Sequence, residues 1–372
     1  MVKCFDNVII GAGMYGLYAA RKLAISGKKV ALIEIEKAPF MRGSYINQAR
    51  LHNGYHYPRS YATAAKSSMY FERFMKDFGD CVYTEFDQIY AIARDYSWTN
   101  SKQFEKFCFN LNLKCDKINK EKFFSPLTIE EAYLTHEYSF DAELLMRKMY
   151  EEALKADVKF YFQHYIEKAD ISGENYIIYL DTGIAIKTPY ILNASYAATN
   201  QIHAVFGFEM LPIKYELCEV ILCRVSENMR RTGLTVMDGP FFSVMPFGKS
   251  GYHSITTVSR TPHMTSYNMF PVFPCQNKNI GCTSMKIENC NSCPARPQTL
   301  FYEMLQIAKK YICNDIDINY VKSLFTIKPI LKMSEIDDSR PTIIRQYNKN
   351  PCFYTVFSGK INTMYDLDTI LD

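Results

Sequence analysis

The stretch from Asn7 to Glu36, NVIIGAGMYGLYAARKLAISGKKVALIEIE, decides how the rest of the chain is read. An apolar run (Val8, Ile9, Ile10) enters Gly11-Ala-Gly13-Met14-Tyr15-Gly16, a helix is expected to about Ser26, Gly27 ends it, and a second apolar run from Val30 to Ile33 stops at Glu34. Gly11 permits a tight turn, Gly13 lets backbone approach a pyrophosphate, and Gly16 allows close packing of helix on strand. The helix start at Met14 and Tyr15 would offer free N–H groups to phosphate charge. Glu34 follows Gly11 by 23 positions, near the roughly 20 expected of a ribose-binding acid, and a carboxylate there disfavours a 2'-phosphorylated cofactor. The competing acid, Glu36, lies past the apolar run and reads as a solvated turn residue. Strand, glycines, helix, strand and acid in this order predict a dinucleotide-binding βαβ unit. Polar residues recurring from Arg21 onward argue against a signal peptide.

The chain has 372 residues, enough for two lobes around a large core. With 43 basic and 39 acidic residues the net charge is +4, too small and dispersed to point to nucleic acid. No apolar run approaches the roughly 20 residues of a membrane span. Twelve cysteines, mostly isolated, suit reduced thiols in a cytoplasm. Aromatic content is high, yet Trp98 is the single tryptophan.

Past Glu36 come the segment from Arg42 to Ser60 and an amphipathic helix expected from Tyr61 to Phe78. Residues 81–136 look like an inserted lobe. Asp141 opens a helix over Glu143 to Lys155, with strands following at Val158 to Phe162, Tyr176 to Leu180 and Tyr190 to Ser195. Residues 205–260 read as antiparallel strands with period-two alternation, where Tyr215, Tyr252 and His253 are either substrate contacts or ordinary sheet residues. A Cys-, Asn- and Pro-rich loop spans 265–298, ahead of a helix near Gln298 to Ile312 and a closing strand–turn–strand from Phe325.

The unit at 8–34 is followed by Ser44-Tyr-Ile-Asn47-Gln-Ala-Arg-Leu-His52-Asn-Gly54-Tyr-His56-Tyr57, and together these resemble the flavin oxidoreductases of the D-amino acid oxidase superfamily. L-2-hydroxyglutarate oxidases and FAD-dependent glycerol-3-phosphate dehydrogenases look most similar. Thr355-Val-Phe-Ser358-Gly359-Lys360-Ile361-Asn-Thr363 resembles the glycine-lysine flavin loop of the latter, and Glu137 to Asp141 and Ile191 to Ser195 match the superfamily's layout. The resemblance implies an α/β (α+β overall) fold with a Rossmann-type FAD-binding domain (1–80, 137–200 and 325–372) and an interleaved antiparallel-sheet substrate domain (81–136 and 201–324). It further implies FAD, held by the glycine turn, Glu34, Ser44, Asn47 and the Ser358 to Ile361 loop. A small, anionic molecule would be oxidised at a C–H beside oxygen or nitrogen, by an enzyme whose electron acceptor (oxygen, quinone or protein) stays open. So does covalent attachment of the flavin through histidine or cysteine.

An alcohol substrate needs a base for its O–H proton, and His52 or His56 is the candidate; an amine needs none. The likeness of His52 and the C-terminal loop to those relatives favours a 2-hydroxy acid or polyol phosphate over an amino acid, with amino acid oxidation, a nicotinamide-assisted monooxygenase and a non-catalytic dinucleotide-binding protein as alternatives. Two departures stand out. Ser195-Tyr196 replaces the family's glycine after Ala194, and Lys328-Pro329 replaces an arginine before proline, keeping the charge but losing the bidentate fork. Arg340, before Pro341, is a second candidate for the substrate's anion, or a surface ion-pairing residue. Finally, Cys275-x6-Cys282-x7-Cys290-x2-Cys293 could hold a structural zinc, stay as free thiols, or serve a disulfide or redox role.

Overall fold

The computed structural model describes residues 2–335 and 340–371. A six-stranded sheet runs in the order Lys159–Phe162, Val30–Glu34, Asn7–Ile10, Tyr190–Asn193, Cys352–Phe357, Ile343–Lys349. The first five are parallel and the last folds back antiparallel. All four residues of Asn7–Ile10 are buried, as a central parallel strand covered on both faces requires. The helix Met14–Ile25 covers one face and packs on the helix Ala142–Lys155 through Leu17, Ala20, Leu145 and Met149. Asp141 caps that second helix, accepting the N–H groups of Glu143 and Leu144, a contribution of about 1 kcal/mol.

A nine-stranded, mostly antiparallel sheet faces this layer. Its long central pair is Ile213–Val225 with Ile318–Leu331. From there it extends through His253–Thr257, Phe242–Pro246, Thr232–Met237, Asp87–Ala93, Ile129–Thr135 and Cys115–Lys117. The helix Phe301–Lys309 covers its far face through Phe301, Met304 and Ala308. Phe325 to Leu331, read from sequence as the start of the last cofactor piece, belong instead to the long strand Ile318–Leu331 of this sheet. Their apolar run resembles that of the parallel strands because both of its faces are covered.

The helix Tyr61–Phe78 forms where the patterning places it, and a further helix, Ser101–Asn110, lies in the segment read as an inserted lobe. Residues 267–300 form a long irregular loop with one short turn of 3₁₀ helix at Pro274–Lys278. Among the described residues, no helix is long and apolar enough to cross a membrane.

Candidate active site

A cavity of about 980 Å³ opens between the two large sheets, and the sequence candidates for cofactor and substrate line it, except Gly16, Tyr215, Tyr252 and His253. Its first end is built by the βαβ unit. Gly11 has φ +102°, and a Cβ there would come within 2.8 Å of the Ala194 carbonyl oxygen. A Cβ on Gly16 would stand 1.8 Å from the Gly11 carbonyl oxygen, so this glycine packs the turn and leaves the lining to Gly11 and Gly13. Ser44 Oγ accepts the Met14 N–H at 3.0 Å and pins the next segment across the helix start. Glu34 closes the second strand and accepts the N–H groups of Ala12 (2.6 Å) and Glu36 (2.9 Å). Burial raises its pKa, and those two donors oppose the shift. Glu36 is no solvated turn residue: its carboxylate takes Arg42 Nε at 2.6 Å, and Arg42 Nη2 continues to the Ile287 carbonyl. Without a glycine after Ala194, Tyr196 itself adopts φ +54°, a left-handed conformation costing about 1–2 kcal/mol in a non-glycine residue. Ser195 N–H and Oγ, both bonded to Asn193 Oδ1, hold that path.

The middle of the cavity is framed by Ser44, Asn47, Gln48 and the C-terminal loop. The Asn47 amide is engaged in its own turn, donating to Gly43 and Ser44 carbonyls and accepting the Ala49 N–H. Tyr15 OH donates to the Lys360 carbonyl at 2.6 Å, tying the first helix to that loop, while Ser358 Oγ, Thr342 and Thr363 close the loop on itself. Lys360 is buried, with Nζ 3.9 Å from the Tyr57 ring centre. Burial, then the nearby Arg50 charge, pushes its pKa well down. A bare glycine turn at a helix start, an acid at the end of the second strand and a lysine loop along one connected cavity fit FAD.

At the far end the large sheet forms the floor. Period-two alternation on Ile213–Val225 turns Lys214, Glu216, Cys218 and Val220 toward the cavity and Tyr215 and Leu217 into the opposite core. On the neighbouring strand Thr326, Lys328 and Ile330 also line the cavity, and Lys328 pairs in register with Glu216, whose Oε1 lies 2.9 Å from Lys214 Nζ. Lys328 thus stands beside a carboxylate as well as a second cation. Arg340 lines the same cavity, its N–H donating to Thr63 Oγ1 at 3.3 Å, and Ser339 before it lies outside the described residues. Tyr215, Tyr252 and His253 do not line the cavity; His253 is buried against the Thr232 carbonyl.

Sequence reading named His52 but missed the buried polar cluster behind it. Arg50 is 3% exposed and donates to Glu137 Oε2 at 2.9 Å, Thr235 Oγ1 at 2.8 Å, Ser243 Oγ at 2.6 Å and the Tyr90 hydroxyl. Tyr90 in turn donates to Glu137. Glu137 Oε1 accepts the Asn53 N–H at 3.1 Å and faces His52 Nδ1 at 3.4 Å. Burial opposes the charge on Glu137, but Arg50, then His52 and Tyr90, outweigh it and hold the carboxyl below its usual range. Burial, then Lys360, brings His52 down to about 3, against the opposing pull of Glu137, so the ring is neutral at neutral pH. His56 is shifted the same way, its ring 5.7 Å from that of His52. The available signal was a charge inside the apolar run Ala49-Arg50-Leu51, two residues before His52 and hence on the same side of an extended strand. At the cavity rim Arg59 grips Asp238 with Nε and Nη2 (2.6 and 3.2 Å) beneath the ring of Trp98.

The four-thiol zinc expectation is corrected. Cys275, Cys282, Cys290 and Cys293 do line one small pocket, with Phe273, Ile287 and Ile327. Among the described residues, however, no group of three or more metal-binding side chains could hold an ion. Burial pushes the Cys290 thiol up to about 12, so it packs as a small neutral group. The loop is fastened by other means: Arg42 on the Ile287 carbonyl, Asn289 on the Met41 carbonyl and Gln201 on the Ser284 carbonyl.

A Rossmann-type layer facing an antiparallel floor across a dinucleotide-sized cavity defines a two-layer flavin oxidoreductase. The family model for FAD dependent oxidoreductases (DAO) matches residues 6–263, and the chain belongs to that family of FAD-dependent oxidases and dehydrogenases. Solved structures share the fold at low identity. L-α-glycerophosphate oxidase from Mycoplasma pneumoniae superposes with a TM-score of 0.71 at 13% identity, covering 98% of this chain and 93% of that one. Glycine oxidase from Geobacillus kaustophilus gives 0.68 at 12% (98% and 91%), and L-amino acid deaminase from Proteus vulgaris 0.68 at 13% (98% and 91%). No curated protein sequence matches the chain.

Proposed function

We propose that this enzyme oxidises a small anionic alcohol, a 2-hydroxy acid or a polyol phosphate, at the carbon bearing the hydroxyl. Bound along the cavity, FAD supplies an acceptor for the hydride at its N5. Gly11, Gly13 and the helix start at Met14 and Tyr15 would hold the pyrophosphate, Glu34 the adenosine ribose, and Ser44, Asn47 and the Ser358 to Ile361 loop the flavin end. Lys360, buried beside Tyr57 on that loop, would donate toward negative charge developing there. His52 takes the hydroxyl proton on its Nε2 as the C–H hydride departs, leaving a carbonyl product, while Lys328 and Arg340 draw in the substrate's anionic group and His56 borders the reacting carbon. We also assign residues 1–80, 137–200 and the piece after Leu331 to the cofactor lobe and the rest to the substrate lobe. The twelve thiols, none of them paired, suit a cytoplasmic setting.

The observation that carries this reading is the place of His52, which lines the cavity beside the lysine loop with its Nδ1 3.4 Å from the buried Glu137 carboxylate. A second reading, oxidation of an amino acid, is favoured by Glu216 opposite Lys328, since a carboxylate beside a cation suits a zwitterion. Anaerobic mixing of the flavin-loaded protein with hydroxy acids, glycerol phosphates and amino acids separates the two. Bleaching by the alcohols alone supports the first, and bleaching by amino acids alone replaces it with the second.

A further inference from the structure

Glu137 has one carboxylate oxygen committed to the Arg50 guanidinium and the Tyr90 hydroxyl; the other accepts the Asn53 N–H and faces His52 Nδ1. The carboxylate side chain is fully buried, and so is His52 Nδ1, which has no other partner. An ionised carboxylate can only accept. The nitrogen facing it must therefore carry the ring's proton, which leaves Nε2 with a bare lone pair. At 3.4 Å the contact is longer than an ordinary hydrogen bond, a spacing from which catalytic pairs commonly tighten when substrate binds. The segment is tied down next to the ring: the His52 carbonyl accepts Asn362 Nδ2 at 3.1 Å, and the Asn53 side chain donates through Nδ2 to the His136 carbonyl at 3.0 Å.

We propose that Glu137 is the positioning residue for His52, holding the imidazole as its Nδ1–H tautomer so that Nε2 is the proton-accepting atom, with Arg50 keeping the carboxylate ionised. This rests on His52 being the proton acceptor. The role of Arg50 follows from charge: unpaired, a carboxyl so buried would keep its own proton and lose its claim on Nδ1–H. A Glu137→Gln substitution makes the consequence specific. Arg50 and Tyr90 both donate toward one end of the side chain, so the amide oxygen turns to them and the NH2 group faces His52, giving up the bond from the Asn53 N–H. Nδ1 must then accept, and the proton moves to Nε2, where it blocks proton uptake.

The test is ¹⁵N NMR of histidine-labelled, FAD-loaded protein near neutral pH, the His52 signals being assigned with a His52→Asn variant. The expected wild-type pattern is protonated Nδ1 and bare Nε2, inverted in Glu137→Gln with flavin content unchanged. Substrate-driven flavin reduction in Glu137→Gln should fall by at least about 100-fold, in line with carboxylate-to-amide swaps behind other catalytic histidines. A wild-type ring protonated on Nε2 overturns the proposal, and this reading stands even where Glu137→Gln fails to fold. An unchanged rate in Glu137→Gln together with a large loss in His52→Asn overturns the positioning role while leaving His52 as the acceptor. An unchanged rate in His52→Asn overturns the acceptor reading itself.

Discussion

The two ends of the cavity are constructed in opposite ways. The dinucleotide end comes from one continuous stretch of about thirty residues and works with backbone, offering a glycine turn, helix N–H groups and one acid. The middle and far end draw Arg50, His52, Thr235, Ser243 and Lys360, with Glu137 behind them, from distant segments of the chain and work with buried charge. Backbone recognition tolerates a fixed local design. A charged chamber in low dielectric must instead be balanced group by group, because each unpaired ion is costly.

The contrast breaks most sharply at the glycines. A Cβ at Gly13 would meet only Ser44 Oγ at 3.0 Å, whereas one at Gly16 runs into Gly11 backbone. Gly13→Val should therefore fold but lose its visible flavin absorbance, while Gly16→Val loses both flavin and stability, by about 3 kcal/mol or more from overpacking. Urea unfolding beside absorbance spectra separates them. A flavin-replete Gly13→Val would break the comparison.

At the far end, His52→Asn should slow anaerobic flavin reduction by about 10²- to 10⁴-fold with flavin content intact, the range of a lost general base. Arg50→Met should cost about 3–5 kcal/mol in unfolding free energy because it leaves the buried Glu137 carboxyl without its cation and forces it to bind a proton. Adding Glu137→Leu should recover much of that loss, and a purely additive double variant would show that the pair is not coupled.

Acid sharpens the same point. Burial, the largest cause in each case, lowers His52 to about 3 and His203 and His253 to about 4, below the ordinary 6.5. The unfolded chain therefore binds protons that the folded chain refuses. Stability is full above about pH 6.5 and lost as pH falls from there toward 4, by at most about 1.4 kcal/mol per pH unit for each ring. Urea midpoints at a series of pH values measure the slope, and His253→Asn should flatten it. The smallest effect is expected at the thiol loop: Cys293→Ser should cost under about 1 kcal/mol and change neither flavin nor metal content. Stoichiometric zinc in the purified protein would contradict that.

Legibility followed the same division. Asn7 to Glu34 could be read because every part of that unit is local, its period switching from strand to helix and back within one window. The helix Tyr61–Phe78 was legible for the same reason. Glu137 was visible only as part of a family layout, since nothing near it in sequence reveals Arg50, 87 positions away. The pairing of Phe325 to Leu331 with Ile213–Val225 was hidden because an apolar run does not say which sheet it joins. The cysteine spacing left zinc, free thiols and a redox role open, because spacing fixes neither where the sulfurs point nor whether they ionise.

The most direct test of the account is stopped-flow anaerobic reduction of the flavin-loaded enzyme by a 2-hydroxy acid and glycerol phosphate panel, wild type against His52→Asn. Rapid bleaching by one of these alcohols in the wild type, at least about 100-fold slower in His52→Asn, is the predicted result. Equal rates in the two proteins, or bleaching by amino acids alone, would contradict it.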